Sequence, residues 1–371
     1  MHPYYYHVRL FPGNYVVQKK TFMEKYLPQL HRLKTRNDAT AIATAAGTSK
    51  KAKPPPKKVV VFDLDETIGS FSPIFDIWQL IVATQPSPHR RDQLEPLFHQ
   101  LMYLFPELFR PGIFTLLRFV FDKCQQGDCF PIHVYTNNQC SLPFWVDMIL
   151  SFITKKIHQK STTHTSLSSP LPAGEWQSVS VFARPICAYT ICGKRHERWR
   201  TSHDKGVPDL LRCSSSPLPR HVEICFVDDQ MHQQMRDDPR VFYIQPFPFY
   251  APLTEKDIYS RFRHSELHHA VFVPKNVGTS SSSCSSMMDK GDQLLFDLLE
   301  KDKHKHKEKD KSNENENVDL YEQIGDQMME YMVQFFQSTN HIPTNPNKNR
   351  KKTMKVAAKK HQNKKKTMVQ R

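Results

Sequence analysis

The sequence predicts an α/β fold, a parallel β-sheet with helices on both faces, and three observations predict it. Short apolar runs rich in β-branched and aromatic residues, "VVVF" at 59–62, "FPIHVYT" at 130–136, "VEICFV" at 222–227 and "VFYIQ" at 241–245, alternate with stretches of helical periodicity. The runs are apolar along most of their length, as strands covered on both faces are. Two of them end abruptly in carboxylates, Asp63 and Asp65 after the first, Asp228 and Asp229 after the third. In an open parallel sheet the carboxyl edge is where ligands and chemistry collect.

Composition bounds the folded part. With 39% hydrophobic residues the 371-residue chain can bury a core, while 27 prolines place part of it outside any core. Residues 1–58 carry 12 Lys and Arg against 2 acids, and residues 340–371 carry 11 against none, so the net +15 belongs to the ends and residues 59–339 stand at −6. The ends therefore read as disordered basic termini: an extension and linker over 1–57, closed by the proline-stiffened "KKAKPPPKK", and a tail over 339–371. No apolar stretch reaches membrane-spanning length and no secretory signal is present, which predicts a soluble intracellular protein of nucleus or cytoplasm with no membrane partner. Eight scattered cysteines suit that reducing setting and make no disulfide framework.

From residue 58 the elements follow in order. A strand over 59–64 precedes helices near 74–83 and 91–105, and "FRPG" at 109–112 opens a helix through 111–123. The strand over 130–136 leads to a helix over 141–153, and strands at 179–183, 222–227 and 241–245 are separated by helices around 206–212 and 230–236. Ser/Thr-rich stretches at 160–174 and 278–291 read as surface insertions, the first within an insertion of about 154–178. "DQLLFDLLE" closes a domain spanning 58–300. A charged linker over 301–317 then precedes an amphipathic helix over 318–338, expected to dock on the core.

The carboxylates carry the chemistry. An isolated Asp-x-Asp also makes turns and helix caps, but Thr67 adds a hydroxyl able to fix the loop by local hydrogen bonds. Four carboxylates brought to two strand ends repel one another at neutral pH unless a cation lies between them. A hard cation with few protein ligands and retained waters describes Mg²⁺.

"VVVFDLDETI" resembles the opening motif of the haloacid dehalogenase-like phosphohydrolases, in the branch that holds the small phosphatases of the RNA polymerase II C-terminal domain. "FRPG", "IHVYTNN", "HDKGVPDLL" and "VEICFVDDQ" are similar to later motifs of that branch and stand in the same order over roughly 58–300. The resemblance implies a Rossmann-like haloacid dehalogenase fold with a small cap insertion, here at about 66–110. That stretch is long and aromatic for the position, and is expected to pack against the core in preference to forming a lid. It also implies a Mg²⁺-dependent phosphomonoester hydrolase working through an aspartyl-phosphate. In that scheme Asp63 is the nucleophile and Asp65 the general acid and base, with Thr67 orienting Asp65. Thr136, Asn137 and Lys205 bind phosphate, and Asp63, Asp65, Asp228 and Asp229 hold the metal, Asp65 through its backbone carbonyl. Lys194 competes with Lys205, which is preferred because it precedes a helix and lies nearer the fourth motif.

The implied substrate is a phosphorylated protein, modified on Ser or Thr. Two alternatives stand beside it: a phosphatase of the same fold acting on a nucleotide or nucleic-acid end, and a catalytically idle binding module. The basic ends admit salt-sensitive, sequence-independent contact with nucleic-acid phosphates. Cys187, Cys192, His196 and His203 make a loose zinc-like spacing that matches no usual finger, and Cys124 and Cys129 flank a turn.

Overall fold

The computed structural model describes residues 6–10, 58–86, 90–138, 142, 144–162, 180–272 and 314–337. Five strands form one fully parallel sheet: β1 (Tyr6–Leu10), β2 (Lys58–Phe62), β3 (His133–Val134), β6 (Glu223–Val227) and β7 (Val241–Pro246), in the order β1-β7-β6-β2-β3. The central pair is in register from Lys58 opposite Glu223 to Phe62 opposite Val227. Asp63 and Asp228 therefore leave the sheet side by side. Two further short strands, β4 (Thr190–Ile191) and β5 (Lys194–Arg195), make an antiparallel hairpin.

The period of two decides which face each residue serves. Val59, Val61, Ile224, Phe226, Val241 and Tyr243 are buried on one face, against the helices α5 (Val207–Cys213) and α6 (Gln233–Arg236). Val60, Phe62, Cys225, Val227 and Ile244 point the other way into a larger core. That core is closed by α3 (Ile113–Gln125), α4 (Trp145–Thr162) and α9 (Glu314–Gln337). Helices thus cover both faces, as parallel strands require, since their crossovers lay helices across the sheet.

The 66–110 stretch forms α1 (Phe75–Thr84) and α2 (Arg91–Leu104), with short 3₁₀ turns at Ser72–Ile74 and Pro106–Leu108. Phe71, Trp78, Phe98, Phe105 and Phe109 belong to the same core, while Tyr103 is exposed. Trp78 and Phe98 meet edge to face at 4.9 Å, and Phe98 meets Trp145 of α4 at 5.6 Å.

Several boundaries differ from the sequence reading. Residues 1–57 are not all extension, because Tyr6–Leu10 adds the edge strand β1, with Leu10 buried and His7 and Arg9 both reaching the Gln245 side chain. Residues 180–183 of the expected strand make only isolated bridges beside β3, where Pro185 lacks the N–H needed to continue a ladder. The helix expected over 141–153 runs from Trp145 to Thr162, so the insertion begins later than 154. Two unexpected helices, α7 (Glu255–Arg263) and α8 (Glu266–Phe272), follow the sheet. α7 starts with a capping box in which Thr254 Oγ1 accepts from the Asp257 N–H and the Asp257 carboxylate accepts from the Thr254 N–H.

α9 docks on the core as expected, burying Tyr321, Ile324, Met328, Met332 and Phe335 against α3, β7 and β1. The segment 292–300, residues 301–313 of the expected linker and the tail over 339–371 lie outside the described residues, while 314–317 of the expected 301–317 linker belong to α9. No helix among the described residues is long and apolar enough to cross a membrane.

Candidate active site

The site is built where β2, β3 and β6 end. The Asp63 N–H donates to Val227 O at 2.8 Å, the last rung between β2 and β6, and beyond it the chain turns sharply. Glu66 takes φ +57°, an uncommon left-handed conformation for a residue with a side chain. The turn is held by Glu66 N–H to Gly69 O (2.8 Å) and Ile68 N–H to Leu64 O (2.9 Å). Arg110, the arginine of "FRPG", is 1% exposed and secures the turn from outside. Its Nε donates to Thr67 O (2.7 Å), and its Nη2 to Glu66 O (2.5 Å) and Phe247 O (2.8 Å).

Four buried charged groups meet there. Oxygens of Asp63, Asp228 and Asp229 all lie within 4.8 Å of one another. Lys205, 2% exposed, donates through Nζ to Asp63 Oδ1 and, at 2.7 Å, to Asp228 Oδ2. Asp229 is locked by Thr67, whose Oγ1 donates to Asp229 Oδ1 (2.9 Å) and accepts from the Asp229 N–H (3.0 Å). Asp228 Oδ1 accepts from the Gln230 N–H at 2.9 Å, and His232 Nε2 stands 3.4 Å from Asp228 Oδ2.

Electrostatics follow from burial. Desolvation holds the Asp63 carboxyl well above its ordinary range, against the pull of Lys205, and Asp228 and Asp65 push the same way as burial. Asp228 ends below its ordinary value, because Lys205 and His232 outweigh its own desolvation. Burial first and Asp228 second push Asp229 up to about 6. Lys205 ends above its usual range, its two carboxylates outweighing desolvation.

The remaining expected residues stand around this centre. Asp65 is raised by burial; its Oδ2 accepts from Asn138 Nδ2 at 2.8 Å, and its buried Oδ1 has no hydrogen-bond partner among the described residues. The Tyr135 N–H bonds Phe62 O, which sets Thr136 beside Asp63 at the end of β3, and Thr136 Oγ1 accepts from the Asn138 N–H. Asn137 is half-buried, its Oδ1 held by Arg200 at 2.7 Å. Lys194 lies exposed in the β4–β5 hairpin, so Lys205 is the lysine that reaches the carboxylates.

Three residues that sequence reasoning did not single out for the site shape it: Asn138, Arg200 and His232. Arg200 is fully buried and donates to Thr136 O (3.0 Å), Cys187 O (2.8 Å) and His203 O (2.9 Å) as well as to Asn137. Only the "NN" after Thr136 carried a signal, a second amide at a strand end.

The donor set, carboxylate oxygens with one ammonium among them, fits a hard divalent cation such as Mg²⁺. Among the described residues this is the one gathering of side chains placed to hold a metal, so Cys187, Cys192, His196 and His203 make no zinc site. Burial pushes the Cys187 thiol up to about 11. The six described cysteines are free, including Cys124 and Cys129, whose sulfurs approach to 3.1 Å where α3 ends.

No family model, no curated protein and no solved structure matches the chain. The likeness to the haloacid dehalogenase-like phosphohydrolases therefore stands on the motifs alone.

Proposed function

We propose that the chain is a Mg²⁺-dependent phosphomonoester hydrolase of the haloacid dehalogenase type, with Asp63 as nucleophile and a phosphorylated Ser or Thr of a protein as substrate. The observation that carries this reading is the convergence of Asp63, Asp228, Asp229 and Lys205, all buried, at the carboxyl edge of a parallel sheet. Burying carboxylates this close is costly unless their interaction has a use, and crowded, perturbed groups of this kind mark functional sites.

Each residue then has a task. Asp63, Asp228 and Asp229 would hold the cation, together with the Asp65 carbonyl. When bound, Mg²⁺ would supply the positive charge that lets a phosphate dianion approach these carboxylates. An Asp63 oxygen attacks phosphorus as the P–O bond to the leaving alcohol breaks, giving an aspartyl-phosphate. Asp65 gives the departing oxygen its proton, then takes one from the water that attacks the same phosphorus and frees Asp63. The partnerless Asp65 Oδ1 suits that role, because Asn138 fixes the other oxygen. Lys205 and Thr136 neutralise and orient the phosphoryl oxygens. Thr67 and Arg110 keep the turn bearing Asp65 in shape. In this reading the helical 66–110 insertion would stand where the family carries a cap.

Hydrolysis of an aryl phosphate, with and without Mg²⁺ and beside Asp63→Asn, tests this reading. Mg²⁺-dependent turnover that the substitution abolishes is the expected result. Turnover that survives Asp63→Asn would remove the nucleophile and with it the proposed chemistry.

A further inference from the structure

Residues 189–204 form a lobe that leaves the sheet beside Thr136 and returns to it at Lys205. On the outgoing side the Thr136 N–H donates to Ile186 O and the Ile186 N–H to Val134 O, at 2.9 and 2.8 Å. The lobe then folds into the β4–β5 hairpin, whose two turn residues, Cys192 and Gly193, both take positive φ (+49° and +73°). That turn matches the right-handed twist of its strands. On the return side Arg200 ties the lobe to Thr136 and Asn137, so the lobe is fixed to two of the expected phosphate-binding residues.

Its outer surface is cationic. Lys194, Arg195 and Arg198 are exposed, and none of them forms an ion pair among the described residues. Arg195 packs over Tyr189 at 5.3 Å, and Arg198 over Trp199 at 4.8 Å, with Trp199 itself 54% exposed. Of the lobe's two acids, Glu197 is buried and paired with Arg184 at 2.8 Å, which leaves only Asp204 facing outward. Exposed tryptophan beside exposed arginine is the composition of recognition surfaces.

We propose that this lobe selects substrates carrying acidic residues beside the phosphorylated one: Lys194, Arg195 and Arg198 meet the flanking carboxylates and Trp199 covers the peptide. The inference rests on the phosphatase reading above. A short acidic peptide is favoured over nucleic acid, because the three basic side chains lie within the five positions 194–198 of one lobe while residues 59–339 together carry a net −6.

The test compares kcat/KM for a phosphoserine peptide with Asp and Glu flanks, a peptide with Ser and Gly flanks, and an aryl phosphate. The acidic peptide is expected to lead the neutral one by about tenfold at low salt, with the lead shrinking as salt rises. In Lys194→Glu/Arg198→Glu the ratio of acidic peptide to aryl phosphate is expected to fall by about tenfold, and Lys194→Arg should preserve it. An unchanged ratio overturns the proposal, and so does faster turnover of a 5′-phosphorylated oligonucleotide than of the acidic peptide. Binding of a fluorescent acidic peptide to Asp63→Asn separates the two layers. Binding that the charge reversal abolishes, in a chain whose wild type hydrolyses nothing, would keep the surface and sink the hydrolase reading.

Discussion

Thr67 and Asp229, one from each acidic strand end, are joined by two hydrogen bonds through a single hydroxyl: Oγ1 donates to the carboxylate at 2.9 Å and accepts from the backbone N–H at 3.0 Å. The pair couples the turn after β2 to the turn after β6 and is buried. Valine has the shape of threonine without the hydroxyl. Thr67→Val therefore strands a buried N–H and a buried carboxylate oxygen, at a cost of about 1–3 kcal/mol each. Denaturant titration should show that loss, kcat on an aryl phosphate should fall, and Thr67→Ser should recover most of both. If Thr67→Val matched wild type in both measurements, the bond would not be what couples the turns.

Gly325 offers a test in which two effects oppose. In an exposed helix, replacing glycine by alanine stabilises by about 1 kcal/mol. A Cβ at Gly325 would lie 2.4 Å from Pro111 O, a backbone atom of the turn that follows Arg110, so α9 must back away from its seat. Overpacking of this kind costs about 1–3 kcal/mol. Gly325→Ala is expected to lower Tm, whereas a rise would mean that α9 is not seated on this turn.

What was legible in the sequence follows from how local each signal is. Strands β2, β6 and β7 announce themselves because burial on both faces makes them largely apolar, and acid pairs stand out at the ends of β2 and β6. β1 did not, since five edge residues in a basic, aromatic setting acquire meaning only from their distant partner β7. α7 was missed although its local signal, the Thr254-x-x-Asp257 capping box, stands in the sequence. Lys205 could be preferred over Lys194 from its place before a helix. Arg200 could not be told from Arg195 or Arg198, because its partners are backbone carbonyls that only the tertiary fold brings to it.

His133 links stability to pH. It is fully buried in β3, with Nδ1 2.8 Å from Pro131 O and Nε2 2.8 Å from Ser214 Oγ, and desolvation lowers its pKa despite the carbonyl contact. The folded state thus holds a neutral ring, and the unfolded chain binds the proton more readily. Stability from this residue is complete above the unfolded value of about 6.5 and is lost as pH falls through it toward the lower folded value, at up to about 1.4 kcal/mol per pH unit. Unfolding free energies of wild type and His133→Gln should diverge least near pH 5 and most near pH 7.5. A constant gap across that range would show that the ring does not titrate differently on folding.

Lys205 divides its charge between Asp63 and Asp228 in a site that excludes solvent. Removing the ammonium leaves two buried carboxylates with no cation between them, and breaking a buried pair in this way costs about 3–5 kcal/mol. Lys205→Met in the absence of divalent ions should therefore be strongly destabilised. Adding Asp63→Asn to it should restore part of the loss, because one of the stranded charges is gone. Equilibrium unfolding of the two single variants and the double variant measures that coupling. Mg²⁺ should then raise the Tm of Lys205→Met by more than that of wild type, since the cation relieves a repulsion that the lysine otherwise moderates. Additive single-variant losses, with equal Mg²⁺ responses, would mean that Lys205 and the carboxylates are energetically independent.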